Sequence, residues 1–309
     1  MNINRGMVQK PYLMMIGGGQ IPLKMVNALS YLAGGEGATA AIVPAASRNQ
    51  GPSKYEDVLK RGGLDPVTLP LYSREDSENE KVLSVLETSE IIFFGGGSQI
   101  RLAAAIIDTP CEQVLLDRLN GGIILAGTSA GAAVMGEFMP SGGTGKGALH
   151  SGRKDPELLD VAPTETGEKD SQQDSDESIT IASGLGFVQG VAVDQHFHER
   201  SRFGRLAYVT SRYRERRLIG VGIDESTACL VDWESEKMTV LGEGCVTVLT
   251  AERFGYDNVQ DRPDSSAPLA SFGLSLDVLA ARHGYDLRKP QPLAPEDARA
   301  LVAAALDEE

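Results

Sequence analysis

Cysteine is scarce in this chain of 309 residues: three thiols, Cys111, Cys229 and Cys245, odd in number and widely spaced. Such a set implies neither a disulfide framework nor a zinc site. Positive charge is short as well, with 29 Lys and Arg against 43 Asp and Glu and a formal net charge of −14. Sequence-independent nucleic-acid binding rests on neutralising phosphates, so this balance argues against it. An anionic membrane surface is disfavoured for the same reason. No apolar run reaches the ~18 residues of a membrane span. Met1-Asn2-Ile3-Asn4-Arg5 lacks the apolar stretch of a secretory signal. These absences predict a soluble, cytoplasmic protein. No His, Cys and carboxylate set has ligand spacing, so neither metal nor cofactor is expected. What remains, 41% hydrophobic and 23% charged residues, is an ordinary globular composition.

The first half repeats one theme: a short apolar run, a cluster of small residues, then a helical pattern. Tyr12 to Ile16 ends at Gly17-Gly18-Gly19, and Thr39 to Val43 at Pro44-Ala45-Ala46-Ser47. Ile91 to Phe94 ends at Gly95-Gly96-Gly97, and Gly122 to Leu125 at Ala126-Gly127-Thr128-Ser129. Runs this short, alternating with helical segments, predict a mostly parallel central sheet with helices on both faces. In such sheets ligands sit beyond the carboxyl ends of the strands. Farther on, candidate strands at 188–193, 218–223, 228–231, 238–241 and 245–249 follow one another closely, which predicts an antiparallel, strand-rich extension. Between the halves, residues 155–177 hold nine carboxylates against Lys169 alone; they read as a mobile acidic insertion. A C-terminal helix is expected near 295–306, with Pro295 in its first turn. The whole of 1–309 is taken as a single α/β domain.

The strongest local motif is Gly127-Thr128-Ser129-Ala130-Gly131, a G-x-S-x-G nucleophile elbow between an apolar strand and a helix-forming run. Small flanking residues permit the tight turn that lifts the serine above the sheet. A glycine-rich turn with a helix-capping serine has the same composition. A nucleophilic serine needs a base, and only His150, His196, His198 and His283 are available. His196 follows an apolar strand directly and so sits at a carboxyl end, while His198 points to the opposite face of an extended chain. Gly95-Gly96-Gly97-Ser98-Gln99 presents amides suited to an anion or an oxyanion. It lacks the lysine of a phosphate-binding loop. Arg200, Arg202 and Arg205 lie near His196, either as a solvated basic face or as a grip for a substrate carboxylate.

Taken in order, these segments resemble the cyanophycinase family, serine hydrolases related to peptidase E. The resemblance runs through Ile16-Gly17-Gly18-Gly19, Ile42-Val43-Pro44-Ala45-Ala46-Ser47 and Phe94-Gly95-Gly96-Gly97-Ser98-Gln99. It continues through Gly127 to Met135, Asp194-Gln195-His196-Phe197 and Gly222-Ile223-Asp224-Glu225-Ser226-Thr227-Ala228. It implies a fold similar to class I glutamine amidotransferases and hydrolysis of cyanophycin, a poly-aspartate carrying arginine on each β-carboxyl, to β-aspartyl-arginine. It also implies Ser129 as nucleophile, His196 as base, and the amides of Gly97 and Ala130 as an oxyanion hole. Gln99, Asp194, Gln195, Arg200, Arg202 and Arg205 match substrate-pocket positions. Glu225 and Thr227 fall in a motif read as structural.

The chain departs from the family where a glutamate-rich stretch usually follows the serine helix. Here Gly142-Gly143-Thr144-Gly145-Lys146-Gly147 carries no carboxylate. Asp174, Asp176 and Glu177 are then the candidates for the acid of the triad. A related aspartyl dipeptidase or isopeptide hydrolase, or a catalytically impaired binding homologue, stays open beside the cyanophycin-degrading enzyme. The expected partners are cyanophycin or a β-aspartyl peptide and a second copy of the chain, with no nucleic acid and no membrane.

Overall fold

Leu13-Met14-Met15-Ile16 and Ile91-Ile92-Phe93-Phe94 are wholly withdrawn from solvent, which is why they read as continuous apolar runs. In the computed structural model, residues 10–49, 51, 53–151, 179–251, 255–259 and 268–301 are described. Strands β1 (Tyr12–Ile16), β2 (Thr39–Val43), β3 (Asp65–Thr68), β4 (Ile91–Phe94) and β5 (Ile124–Thr128) run parallel in the order β1-β5-β4-β2-β3. Between them lie α1 (Leu23–Leu32), α2 (Tyr55–Arg61), α3 (Glu80–Thr88), α4 (Gln99–Ile106) and α5 (Pro110–Asn120). The side-chain carbonyl of Asn79 caps α3 by accepting the Lys81 N–H, and Pro110 opens α5 where its missing N–H costs nothing.

After β5 come α6 (Ala130–Ala133), β6 (Gly136–Gly142), α7 (Gly145–Ser151), β7 (Thr180–Ser183), β8 (Val188–Gln195), α8 (Phe203–Arg212) and β9 (Ile219–Ile223). The chain continues as β10 (Thr227–Asp232), β11 (Lys237–Gly242), β12 (Val246–Ala251), β13 (Leu274–Leu279), β14 (Gly284–Asp286), β15 (Gln291–Pro292) and α9 (Pro295–Ala300). Among the described residues there are two mixed sheets in place of one sheet with an extension. The first has nine strands, because β10, β11, β14 and β15 add antiparallel to the open edge of β1. The second has six, in the order β13-β12-β9-β8-β6-β7, with only β6, β8 and β9 mutually parallel. The cause is competition for an edge. All five residues of β1 pair with β10, so β8 and β9 cannot extend the first sheet and build their own.

The second sheet packs on one face of the first. Leu13, Met15, Cys229 and Val231 share a core with Val191, Val193, Val221, Ile223 and Val248. On the other face, Met25, Val26 and Leu29 of α1 cover Met14, Ile16, Ala40 and Ile42. Strand β6 escapes a reading of the sequence because Gly136, Pro140 and Gly142 look like loop; the ladder shifts register between Pro140 and Gly142. The proposed insertion at 155–177 lies outside the described residues, as does the end of the proposed C-terminal helix beyond residue 301.

Candidate active site

The turn from β5 to α6 is as tight as its composition implies. A Cβ on Gly127 would lie 2.4 Å from the Gly131 carbonyl oxygen, and one on Gly131 would lie 2.2 Å from that of Phe94. Ser129, at the apex, has φ 55° and ψ −114°, a conformation that costs a non-glycine residue about 1–3 kcal/mol. His196 follows the last residue of β8 and is likewise held at φ 47°. Its Nε2 stands 2.8 Å from Ser129 Oγ. On the far side of the ring, Nδ1 lies 2.5 Å from Oε1 of Glu225. A carboxylate can only accept, so Nδ1 carries the proton and Nε2 is left to accept from the serine hydroxyl. Gln195 Oε1 lies farther from the same hydroxyl, at 3.3 Å. Burial holds the His196 imidazole below its usual pKa; Arg200 and Arg202 push the same way, and Glu225 offsets only part of it. The ring is therefore a neutral acceptor.

Three loops from two sheets meet here, and the end of β1 ties them. The carbonyls of Ile16, Gly17 and Gly18 accept, in turn, the N–H groups of Ser129 at 2.9 Å, His196 at 2.8 Å and Ser226 at 2.9 Å. Gly18, at φ +107°, must be glycine: a Cβ there would lie 2.2 Å from Cε1 of His196. Glu225 sits on the crossover from β9 to β10. Thr227 braces that crossover, donating its hydroxyl to the Glu225 carbonyl and accepting the Gly244 N–H.

Above Ser129 is a cavity of about 240 Å³. The Gly97 and Ala130 amides have no protein acceptor among the described residues, and Gly97 lines this cavity. Ala130 is the first residue of α6, where an N–H has no intrahelical partner. Gln99, Gln195, Arg200, Arg202 and Arg205 also form its wall. Asp194 does not. It is fully buried behind the wall, where it accepts from Arg202 at 3.2 Å and from Arg205 at 3.0 Å. Arg205 and Gln99 both donate to the Pro140 carbonyl. These side chains brace one another, and no carboxylate lines the cavity among the described residues.

His198 pairs with Asp224, at 2.7 Å, and not with the serine. His150 and His283 are exposed elsewhere. Asp174, Asp176 and Glu177 lie outside the described residues, and the carboxylate that meets His196 is Glu225. The signal that could have found it is position: Glu225 stands two residues beyond the apolar strand β9, much as His196 stands just beyond β8. Among the described residues no group of three or more His, Cys, Asp or Glu could hold a metal ion, and no helix is long and apolar enough to cross a membrane.

A serine, a histidine and a glutamate in one hydrogen-bonded line on a mixed α/β frame are an arrangement that serine hydrolases use. Comparison with known proteins agrees. Peptidase family S51 matches residues 13–147. A cyanophycinase from Geminocystis herdmanii is 34% identical over 268 residues, covering 85% of this chain and 88% of that one. One from Synechococcus elongatus is 33% identical over 290 residues, covering 91% and 81%. Among solved structures, a peptidase from an acI-B1 Actinobacterium superposes with a TM-score of 0.55 at 20% identity, over 86% of this chain and 98% of its own. The chain belongs to the cyanophycinase family and is a serine peptidase.

Proposed function

We propose that the chain hydrolyses cyanophycin to β-aspartyl-arginine dipeptides. The β-linkage survives in that product, so the bond broken is the main-chain amide between successive aspartates. Ser129 Oγ attacks the amide carbonyl while His196 Nε2 takes the hydroxyl proton, and Glu225 holds the ring and balances its new charge. The Gly97 and Ala130 amides receive the oxyanion. His196 then returns the proton to the departing amine, and water repeats the sequence on the acyl-enzyme. The observation that carries this reading is the unbroken line Ser129–His196–Glu225 beneath the cavity. The parallel half of the first sheet, with the serine at a strand end, supports kinship with the class I glutamine amidotransferase fold.

The wall supports recognition of an anion. The arginine arm of the substrate bears a free carboxylate, which Arg200 and the braced Arg202 and Arg205 suit. With Asp194 engaged behind them, the guanidinium is assigned to a carboxylate outside the cavity wall, Glu199, which is exposed and accepts the Glu225 N–H at 3.2 Å. The test is incubation with insoluble cyanophycin and chromatography of the released material. The wild type should yield β-aspartyl-arginine and Ser129→Ala none. Release by Ser129→Ala would sink the serine mechanism. An inert wild type whose Ser129 still reacts with a fluorophosphonate would sink the substrate.

A further inference from the structure

The Gly95-Gly96-Gly97 loop carries one of the two amides assigned to the oxyanion, yet three consecutive glycines have almost no steric restraint of their own. Hydrogen bonds must hold it. Gly95 N–H donates to the Val43 carbonyl at 3.0 Å, and Ser98 N–H donates to the Ala46 carbonyl at 2.9 Å. Between these anchors lie two peptide planes. Among the described residues the plane that ends in the Gly96 amide has a single partner, a side chain: Gly96 N–H donates to the hydroxyl of Tyr55 at 3.1 Å. Tyr55 opens α2 and its ring leans on Phe93 of β4, the strand that feeds the loop, at 5.2 Å between centroids. A Cβ built on Gly96 would lie 3.0 Å from the Tyr55 hydroxyl and 3.4 Å from Ser129 Cβ. The tyrosine and the serine therefore face each other across one glycine.

We propose that Tyr55 is a positioning residue for the oxyanion amide. By fixing the plane before Gly96, with Ser98 fixing the plane after Gly97, it leaves the Gly97 N–H one orientation, toward the space above Ser129. Without the hydroxyl two glycine-flanked planes turn freely, and the amide meets the developing charge only part of the time. The role rests on Ser129 being the nucleophile with Gly97 in its oxyanion hole.

Tyr55→Phe keeps the ring and removes only the hydroxyl. Losing an oxyanion donor outright costs ~100- to 1000-fold, so a donor left misaimed should lower kcat by ~10- to 50-fold. KM, the affinity for the dipeptide product and the melting temperature should stay near wild type. Phe93→Leu, which thins the packing of the ring but keeps the hydroxyl, should lose far less. Two readouts are taken on the same preparations: dipeptide release from cyanophycin, and the rate at which a fluorophosphonate labels Ser129, a reaction that needs the same amides but no particular substrate. If the wild type releases no dipeptide, the substrate assignment fails and the labelling rate still decides the role of Tyr55. A labelling rate for Tyr55→Phe within twofold of wild type overturns the proposal. So does an equal loss in Tyr55→Phe and Phe93→Leu, which would assign the effect to packing.

Discussion

Replacing Glu225 by Gln tests the acid of the proposed triad most directly, because shape is kept and only charge and one acceptor are lost. In the transition state His196 becomes an imidazolium beside a carboxylate whose oxygen is 2.5 Å from Nδ1. Unit charges centred about 4 Å apart attract by ~4 kcal/mol at an effective dielectric of 20. The Glu225 side chain is 38% exposed, and solvent screening reduces that to roughly 2–3 kcal/mol. In rate terms this is a fall in kcat of ~30- to 150-fold. The loss grows if the glutamine turns its amide toward Nδ1, since the ring then adopts the tautomer that cannot accept from Ser129. The assay is initial-rate dipeptide release over a range of substrate, with thermal unfolding in parallel. KM should move little and the melting temperature by no more than a few degrees. Activity within threefold of wild type would refute the electrostatic argument and send the search for the acid back to the span holding Asp174, Asp176 and Glu177.

Two further outcomes follow from the same geometry. His196 must be neutral to act as base and its pKa is held below the ordinary 6.5, so kcat/KM should be flat through neutrality and fall on the acid side with an inflection under that value; Glu225→Gln removes a raising influence and should move the inflection lower still, whereas an inflection above 6.5 in the wild type would contradict the buried, neutral ring. Asp194→Asn leaves two guanidiniums buried against a neutral partner and should cost ~3–5 kcal/mol in urea unfolding, a loss under 1 kcal/mol disproving that the carboxylate is what holds Arg202 and Arg205.

Local signals were legible in the sequence and relational ones were not. The strands β1, β2, β4 and β5 announce themselves as apolar runs ending in small residues, and Ser129 and His196 stand directly beyond such runs. Glu225 stands two residues beyond β9, after Asp224, and its meaning depends on which sheet β9 enters. That is decided by β10 occupying the edge of β1, a pairing that no periodicity encodes. The same gap hid Asp194. A carboxylate beside the proposed base reads as a pocket residue until burial shows it facing the two arginines from behind. Lys54 and Tyr55, which line the cavity, stand at the start of α2, outside every motif, and Tyr55 reaches the site through its ring on Phe93 and its hydroxyl bond to Gly96.

The trio of carbonyls at Ile16, Gly17 and Gly18 makes β1 the gauge from which the site is set. β1 is the middle strand of nine, paired along its whole length on both sides, and such strands are the last to open in native-state fluctuations. Serine, histidine and the crossover bearing the glutamate are each tied by a backbone hydrogen bond to the last residue of that slow-opening strand or to the two glycines that follow it. The two sheets can thus breathe, and loops around the cavity can change, with little error passed to the spacing of the three side chains. The converse is a vulnerability. A residue inserted after Met15 would displace all three references in one step, a lesion that no adjustment in the later loops could repair.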